Sequence, residues 1–479
     1  MKRSLLKTSI LALSVFSAEL AFTHAQAKQP NIIYINTDDW GIGKVPSLEM
    51  DPASQSIIKT PNLDKLKADG MTFTNAYAGN AVCGPSRCTL LTGKHPGNAA
   101  WRANRKTLPS SVWPIDTPML GEVARQAGYK TAAFGKLCHG GTSTPEEITA
   151  TGWDYWMGFL GHIDCRDYYS SYIWENGKKI TLPANAPELL KGTSTLEKPK
   201  GSGVVGMGKG TFIEELYADK ICEFMTENKE EPFFIYFASV VPHGGPPGGM
   251  RVPDLLDYKD NPKLTKYEKL YCALLTWHDR SLGKIRAKLD ELGIADNTII
   301  IWTSDNGDEN SYYRRTKTFD GNGPFRAMKR SLYEGGIRAP MIAVWPDKIK
   351  PGSSSALITT QVDVIPTVAE AGGNHVTKEM DGISIFPTLA GEPNKQTNRD
   401  YIYFEFYETG RQQSVRMGKW KGYRRDGLKG KTELYNLDTD IGETKDLAAE
   451  HPDIVKKIEE IMAKEHTSHP IWKLPGLDK

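Results

Sequence analysis

Four short runs of apolar, β-prone residues recur along this chain, and between them the apolar positions change to helical spacing. Residues 31–36 (NIIYIN), 232–239 (PFFIYFAS), 297–302 (NTIIIW) and 341–345 (MIAVW) read as strands. A strand with one wet face alternates apolar and polar residues, whereas these runs are apolar almost throughout, so each is expected to be covered on both sides. Residues 117–127, 212–228 and 264–292 read as helices. Strands and helices in this succession predict an α/β fold, a mainly parallel central sheet with helices on both faces. Ligands of such sheets gather at the carboxyl ends of the strands. Two acidic groups lie there: Asp38 and Asp39 after the first run, Asp305 and Asn306 after the third.

Residues 391–398 read as a linker, and residues 183–210, rich in Gly, Pro, Ser and Lys, as a long surface excursion. Beyond the linker, 401–406 (YIYFEF), 410–425, 432–437 (TELYNL) and a helical pattern over 452–466 predict a small antiparallel sheet with one helix. A unit of that size must dock on a larger one. The division expected is a main domain over 28–395 and a subdomain over 396–479. Residues 1–27 read as a secretory signal: Lys2, Arg3 and Lys7 precede an apolar stretch, and Ala25-Gln26-Ala27 offers small residues for cleavage. The stretch is short for a membrane span and no Cys precedes Cys83, so export without a stable membrane anchor, to the periplasm or beyond, is expected.

Cleavage there removes three basic residues and one acidic one and takes the formal net charge from +2 to zero, which argues against nucleic acid as a partner. Basic patches are expected at Arg314, Arg315 and Lys317, and at Lys419, Lys421, Arg424 and Arg425. Six Cys in a chain of 479 residues do not make a disulfide scaffold. The sequence leaves a Cys138–Cys165 bridge open.

Asp38, Asp39, Asp305 and Asn306 offer only oxygen donors, the ligand set of a hard cation such as Ca²⁺ or Mg²⁺. Asp-Asn-Gly at 305–307 is also a common turn sequence. In Cys83-Gly84-Pro85-Ser86-Arg87, Pro85 suits the first turn of a helix, which would set the side chain at 83 where unpaired backbone N–H groups meet an anion. A buried structural cysteine is the other reading of the same residue. His243, at the end of the strand PFFIYFAS, is the best-placed general acid, since imidazole titrates near neutrality.

The run C-G-P-S-R with Leu91-Thr92-Gly93 resembles the signature of the type I sulfatases, members of the alkaline phosphatase-like superfamily. The likeness continues through residues 128–136, the TSDNG block ending at Gly307, the element 329–338 (KRSLYEGGIR), Trp345-Pro346, Asp363 with Pro366-Thr367, and Asp381-Gly382. It implies that Cys83 is converted to formylglycine (3-oxoalanine) by a maturation enzyme and that Asp38, Asp39, Asp305 and Asn306 hold a divalent cation, usually Ca²⁺. Arg87 and Lys136 would steady the nucleophile, Lys136 and Lys329 would spread charge on the sulfuryl oxygens, and His243 would protonate the leaving oxygen. Many members read G-K-W-H where this chain has Gly135-Lys136-Leu137-Cys138, so His139, one residue further on, is the candidate base.

His162, Asp164, Tyr168 and Tyr169 resemble a substrate-side loop of carbohydrate sulfatases, and residues 174–177 their W-x-N-G turn. Glu405, Tyr407 and Glu408 resemble a W-E-F-H-E element of galactose or N-acetylgalactosamine sulfatases, with Tyr407 in place of His. The expectation is therefore hydrolysis of a sulfate ester on a sugar of that type, with His162, Glu405 and Tyr407 as substrate contacts. The alternatives are a phosphonate or phosphate ester hydrolase of the same superfamily and a non-catalytic protein that binds sulfated glycans.

Overall fold

Each of the four apolar runs becomes a strand of one ten-stranded sheet in the computed structural model, which describes residues 28–104, 117–138, 142–162, 164–186, 189, 206–207, 209–244, 250–309, 316–374 and 380–478. The strands are β1 (Asn31–Thr37), β2 (Met71–Phe73), β3 (Lys130–Lys136), β4 (Tyr155–Phe159), β5 (Tyr172–Glu175), β6 (Lys178–Thr181), β7 (Phe233–Ala238), β8 (Thr298–Ser304), β9 (Met341–Val344) and β10 (Ser353–Ser355). Their spatial order is β10-β2-β9-β8-β1-β7-β3-β4-β5-β6. The five central strands, β8 to β4, run parallel. β9 is antiparallel to both its neighbours, and β5 and β6 turn back at the far edge.

The period-two alternation sorts side chains into two cores. Ile33 and Ile35 of β1, with Ile235 and Phe237 of β7, pack under the helices α3 (Ile213–Glu227) and α4 (Lys266–Glu291). Ile32 and Tyr34, with Phe234 and Tyr236, face α2 (Leu120–Gln126) and α5 (Val364–Ala371) on the other side. Burial on both faces is why these strands read as unbroken apolar runs. The long helix α4 opens with a reciprocal cap, in which Thr265 Oγ1 accepts from Glu268 N and Glu268 Oε2 from Thr265 N. The sheet carries on past the apolar runs into a hairpin whose turn residues, Asn176 (φ 45°) and Gly177 (φ 83°), are both left-handed. That is the conformation a two-residue hairpin between β5 and β6 demands, and it accounts for the N-G pair.

Beyond residue 398 a second sheet of four antiparallel strands forms: β11 (Ile402–Phe406), β12 (Gln412–Met417), β13 (Trp420–Arg424) and β14 (Thr432–Asn436). One face takes the helix α6 (Pro452–Lys464) through Val415, Leu434, Ile458 and Met462. The other sets Ile402, Phe404 and Phe406 against Tyr77, Val82, Leu332 and Ile337 of the larger unit. Lys421 and Arg424 correct the expected basic patch. Both are buried, and Lys421 Nζ lies 2.8 Å from Glu334 Oε1 across the docking face. A wholly apolar strand face would have no such partner for Glu334. Lys317, Lys419 and Arg425 are exposed, whereas Arg314 and Arg315, like the secretory reading of residues 1–27, lie outside the described residues. All six cysteines are buried and none is in a disulfide, so Cys138 and Cys165 are not bridged. No helix among the described residues is long and apolar enough to cross a membrane.

Candidate active site

β1 and β8 are neighbours in register, with Thr37 opposite Ser304, so the two acidic groups leave the sheet side by side although about 270 residues separate them. Successive residues of a strand point to opposite faces. Asp39 escapes that rule because its backbone is left-handed (φ 68°), a conformation costly for any residue but Gly and found where a site over-determines it. Asp39 N donates to Asp305 Oδ1 (3.2 Å) and Asn306 Nδ2 to Asp39 Oδ1 (2.8 Å). Asp38, Asp39, Asp305 and Asn306 are all essentially inaccessible to solvent.

The helix α1 (Cys83–Thr92) begins at Cys83 itself and is buried along its whole length. Four residues on, and so on the same face, Arg87 sends Nη2 to within 2.9 Å of Asp305 Oδ2 and 3.6 Å of Asp38 Oδ2, with Nη1 on the Tyr236 hydroxyl (3.2 Å). Lys136 ends β3 with Nζ 2.5 Å from Asp38 Oδ2. It follows Gly135, whose φ of 102° and close approach to Ala238 O, 2.1 Å from where a Cβ would stand, admit only glycine. Lys329 pairs with Asp39. His243, held by its N–H on Val240 O and by the Tyr168 hydroxyl on its carbonyl, brings Nε2 to 3.8 Å from Asp39 Oδ2.

Ligand atoms of Asp38, Cys83 and Asp305 lie within 4.8 Å of one another, as do those of Asp38, Asp39 and His243. The two acidic groups, the helix start, both lysines and His243 therefore form one pocket. Three buried carboxylates face three buried cations. Burial, and then the charge of Asp38, push the Asp305 carboxyl well up, against the pull of Arg87. For Lys136 and Lys329 burial opposes the charge, but the carboxylates of Asp38 and Asp39 outweigh it and hold both ammonium groups protonated, with pKa raised. The donor set fits a hard cation by a further sign: Asp38 Oδ1 and Asn306 Oδ1, one from each acidic group, are buried without a hydrogen-bond partner. Buried polar atoms are rarely left so.

The other candidates have surroundings of their own. His162 is half-buried, and its carbonyl accepts from Cys165 Sγ (3.3 Å). Glu405 is fully buried and its carboxylate is taken up by Arg102, the Tyr403 and Tyr407 hydroxyls (2.7 and 2.9 Å) and His466 Nδ1 (2.9 Å). His139 lies outside the described residues. Two residues that the sequence did not single out belong to the site. Gln361 accepts from Ser86 Oγ (2.8 Å) and donates to Asn36 Oδ1 and Ser304 O (3.0 Å each), tying α1 to the ends of β1 and β8. Its nearness to Asp363 in the sequence was the available signal. Asn104 Nδ2 lies 3.6 Å from Cys83 Sγ, and a lone Asn 21 residues downstream carries no signal.

Comparison with known proteins agrees with this geometry. The Sulfatase family model matches residues 30–374, and the model for the C-terminal part of N-sulphoglucosamine sulphohydrolase matches residues 325–468. The chain is 28% identical to an N-acetylgalactosamine-6-O-sulfatase of Bacteroides thetaiotaomicron, over 91% of this chain and 93% of that protein. An N-acetylglucosamine-6-O-sulfatase of the same organism is 26% identical, over 91% and 86%. Among solved structures, Ps i-CgsB in complex with k-i-k-neocarrahexaose superposes with a TM-score of 0.74 at 25% identity, covering 94% of this chain and 96% of that one. With a family match over most of its length and the pocket described above, the chain belongs to the sulfatase family and is a sulfuric ester hydrolase.

Proposed function

We propose that this protein is an exported carbohydrate sulfatase, acting on a sulfated galactose- or N-acetylgalactosamine-type sugar with a formylglycine made from Cys83. The reading is carried by the placement of Cys83 against Asp38 and Asp305 at the mouth of a helix whose Arg87 joins the same carboxylates. The similar N-acetylgalactosamine-6-O-sulfatase supports the sugar class. Asp38, Asp39, Asp305 and Asn306 would hold the cation, Ca²⁺ first and Mg²⁺ second, because all four offer hard oxygens. When present, the formylglycine hydrate supplies a hydroxyl nucleophile and the cation draws charge from it and from the sulfate.

The chain's own residues do the rest. Arg87 and Lys136 orient the group at position 83. Lys136 and Lys329, kept charged by their carboxylate partners, bind the sulfuryl oxygens and offset the charge that grows on them. His243 holds the proton that the departing sugar oxygen needs, and Asp39 steadies the protonated ring. His139 is the candidate base for sulfate release. His162 would be a sugar contact, whereas Glu405, its carboxylate taken up by Arg102 and Tyr407, would act on the sugar only through the segment it holds. The unit over 28–395 would carry the chemistry and that over 396–479 would complete the pocket wall. The partners in the cell would be a formylglycine-generating enzyme and the sulfated glycan, with no nucleic acid and no stable membrane anchor.

Defined sulfated mono- and oligosaccharides, with the product followed by NMR, test the reading when aryl phosphate and phosphonate esters are run in parallel. Desulfation of a galactose-type sugar is expected, together with an aldehyde mass at residue 83. Turnover of the phosphorus esters alone, or sugar binding without turnover in fully converted protein, would replace it.

A further inference from the structure

The stretch after α1 brings Asn104 beside the nucleophile, and the last part of the chain holds it there. Asn104 Nδ2 points at Cys83 Sγ (3.6 Å), while Asn104 Oδ1 is buried with no hydrogen-bond partner. An amide with its donor on the reacting atom and its acceptor unfilled suits a group richer in O–H donors than a thiol. Arg87, Lys136 and Lys329, the cations of the same pocket, can only donate.

We propose that Asn104 is a further catalytic residue, which orients the nucleophile at position 83 by donating through Nδ2 and accepting a hydroxyl proton at Oδ1. The assignment rests on the reading of Cys83 as a formylglycine precursor, whose hydrate carries two hydroxyls. A free hydroxyl pair can rotate. One neutral amide that both donates and accepts fixes which oxygen faces the sulfur, without adding charge to a pocket already balanced between carboxylates and cations.

Asn104 owes its position to contacts from the far end of the sequence. Its N–H donates to Glu408 Oε1 (2.5 Å). Two residues earlier, Arg102 is buried against Glu405, and Trp472 Nε1 donates to Ala100 O (2.9 Å). Trp472 is itself fully buried, and its carbonyl accepts from Tyr407 (3.2 Å). Residues of the small C-terminal unit thus act as a strap across the loop, and Trp472 is a positioning residue for Asn104.

The experiment compares Asn104→Ala and Asn104→Ser with the parent protein on a nitrophenyl sulfate and a sugar sulfate, with the aldehyde content at residue 83 measured by mass spectrometry and used to normalise each rate. Both variants are expected to lose about tenfold to a hundredfold in kcat on both substrates, the range for a single hydrogen bond to a reacting group, with KM little changed. Trp472→Phe keeps the packing and removes the bond to Ala100. It is expected to speed hydrogen–deuterium exchange over residues 99–104 and to lower kcat in the same sense. In the double variant with Asn104→Ala it should add no further loss. Parental kcat at equal aldehyde content, or a loss confined to KM for the sugar sulfate, overturns the role of Asn104. Additive losses, or exchange that stays unchanged, overturn the strap. Full activity with an unconverted Cys83 thiol would instead refute the formylglycine reading, so the two failures are told apart by the mass spectrum.

Discussion

Removing the imidazole of His243 should separate bond cleavage from everything else the pocket does. If His243 protonates the leaving oxygen, His243→Ala loses about 10²- to 10⁴-fold more on a sugar sulfate, whose alkoxide leaves poorly, than on a nitrophenyl sulfate, which needs little protonation. Equal losses on both would move the acid role to another residue. Calorimetric titration of Ca²⁺ into chelator-treated protein should show binding that Asp305→Ala weakens by more than about tenfold, and unchanged binding would take Asp305 out of the ligand set. These residues were legible in the sequence because chemistry that handles an anion through hard oxygens and fixed cations tolerates few residue types. Asn104 was not, since a lone amide outside any motif has no favoured spacing, and Gln361 had only its nearness to Asp363 to signal it.

Elements were read more securely at their centres than at their ends. The stretch 264–292 became Lys266–Glu291 and 117–127 shrank to Leu120–Gln126, because caps and loops decide helix ends while apolar spacing decides only the middle. The antiparallel direction of β9 was not in its residues, which differ little from those of the parallel β8. Gly135 shows how an element serves the site. Gly135→Ala would force a Cβ into Ala238 O, part β3 from β7 and displace Lys136. A loss of about 1–3 kcal/mol in stability is expected, together with a fall in kcat. Gly177→Ala is the control: its φ is also positive, but nothing lies within 4 Å of the new Cβ. It should cost some stability and leave kcat alone. Thermal melts and steady-state rates on both variants check the contrast.

The docking of the small sheet on the large one depends on buried charge, which the sequence disguised as a basic surface patch. Lys421, Glu334, Arg338 and Glu443 meet there. Burial and then the nearby charge of Glu334 push the Glu443 carboxyl up to about 7, against Lys421. An acid whose folded pKa exceeds its unfolded one holds its proton more tightly in the folded chain, so its contribution to stability is lost as pH rises from about 4.5 to 7. Glu443→Gln cannot titrate, and its melting temperature relative to the parent should climb by about 2 °C or more between pH 5 and pH 8. A flat difference would show that Glu443 is charged throughout. The central strand β1 has a different consequence, in time. Its nearest partner along the chain, β7, lies about 200 residues downstream. At typical synthesis rates of about 5–20 residues per second, the run NIIYINT waits some tens of seconds with both edges bare. A nascent chain cut short before residue 233 has nothing to cap those edges and is a ready nucleus for aggregation. Arrival of β7 and then of β8, rather than any local event, therefore starts the assembly of the sheet centre from which the acidic groups emerge.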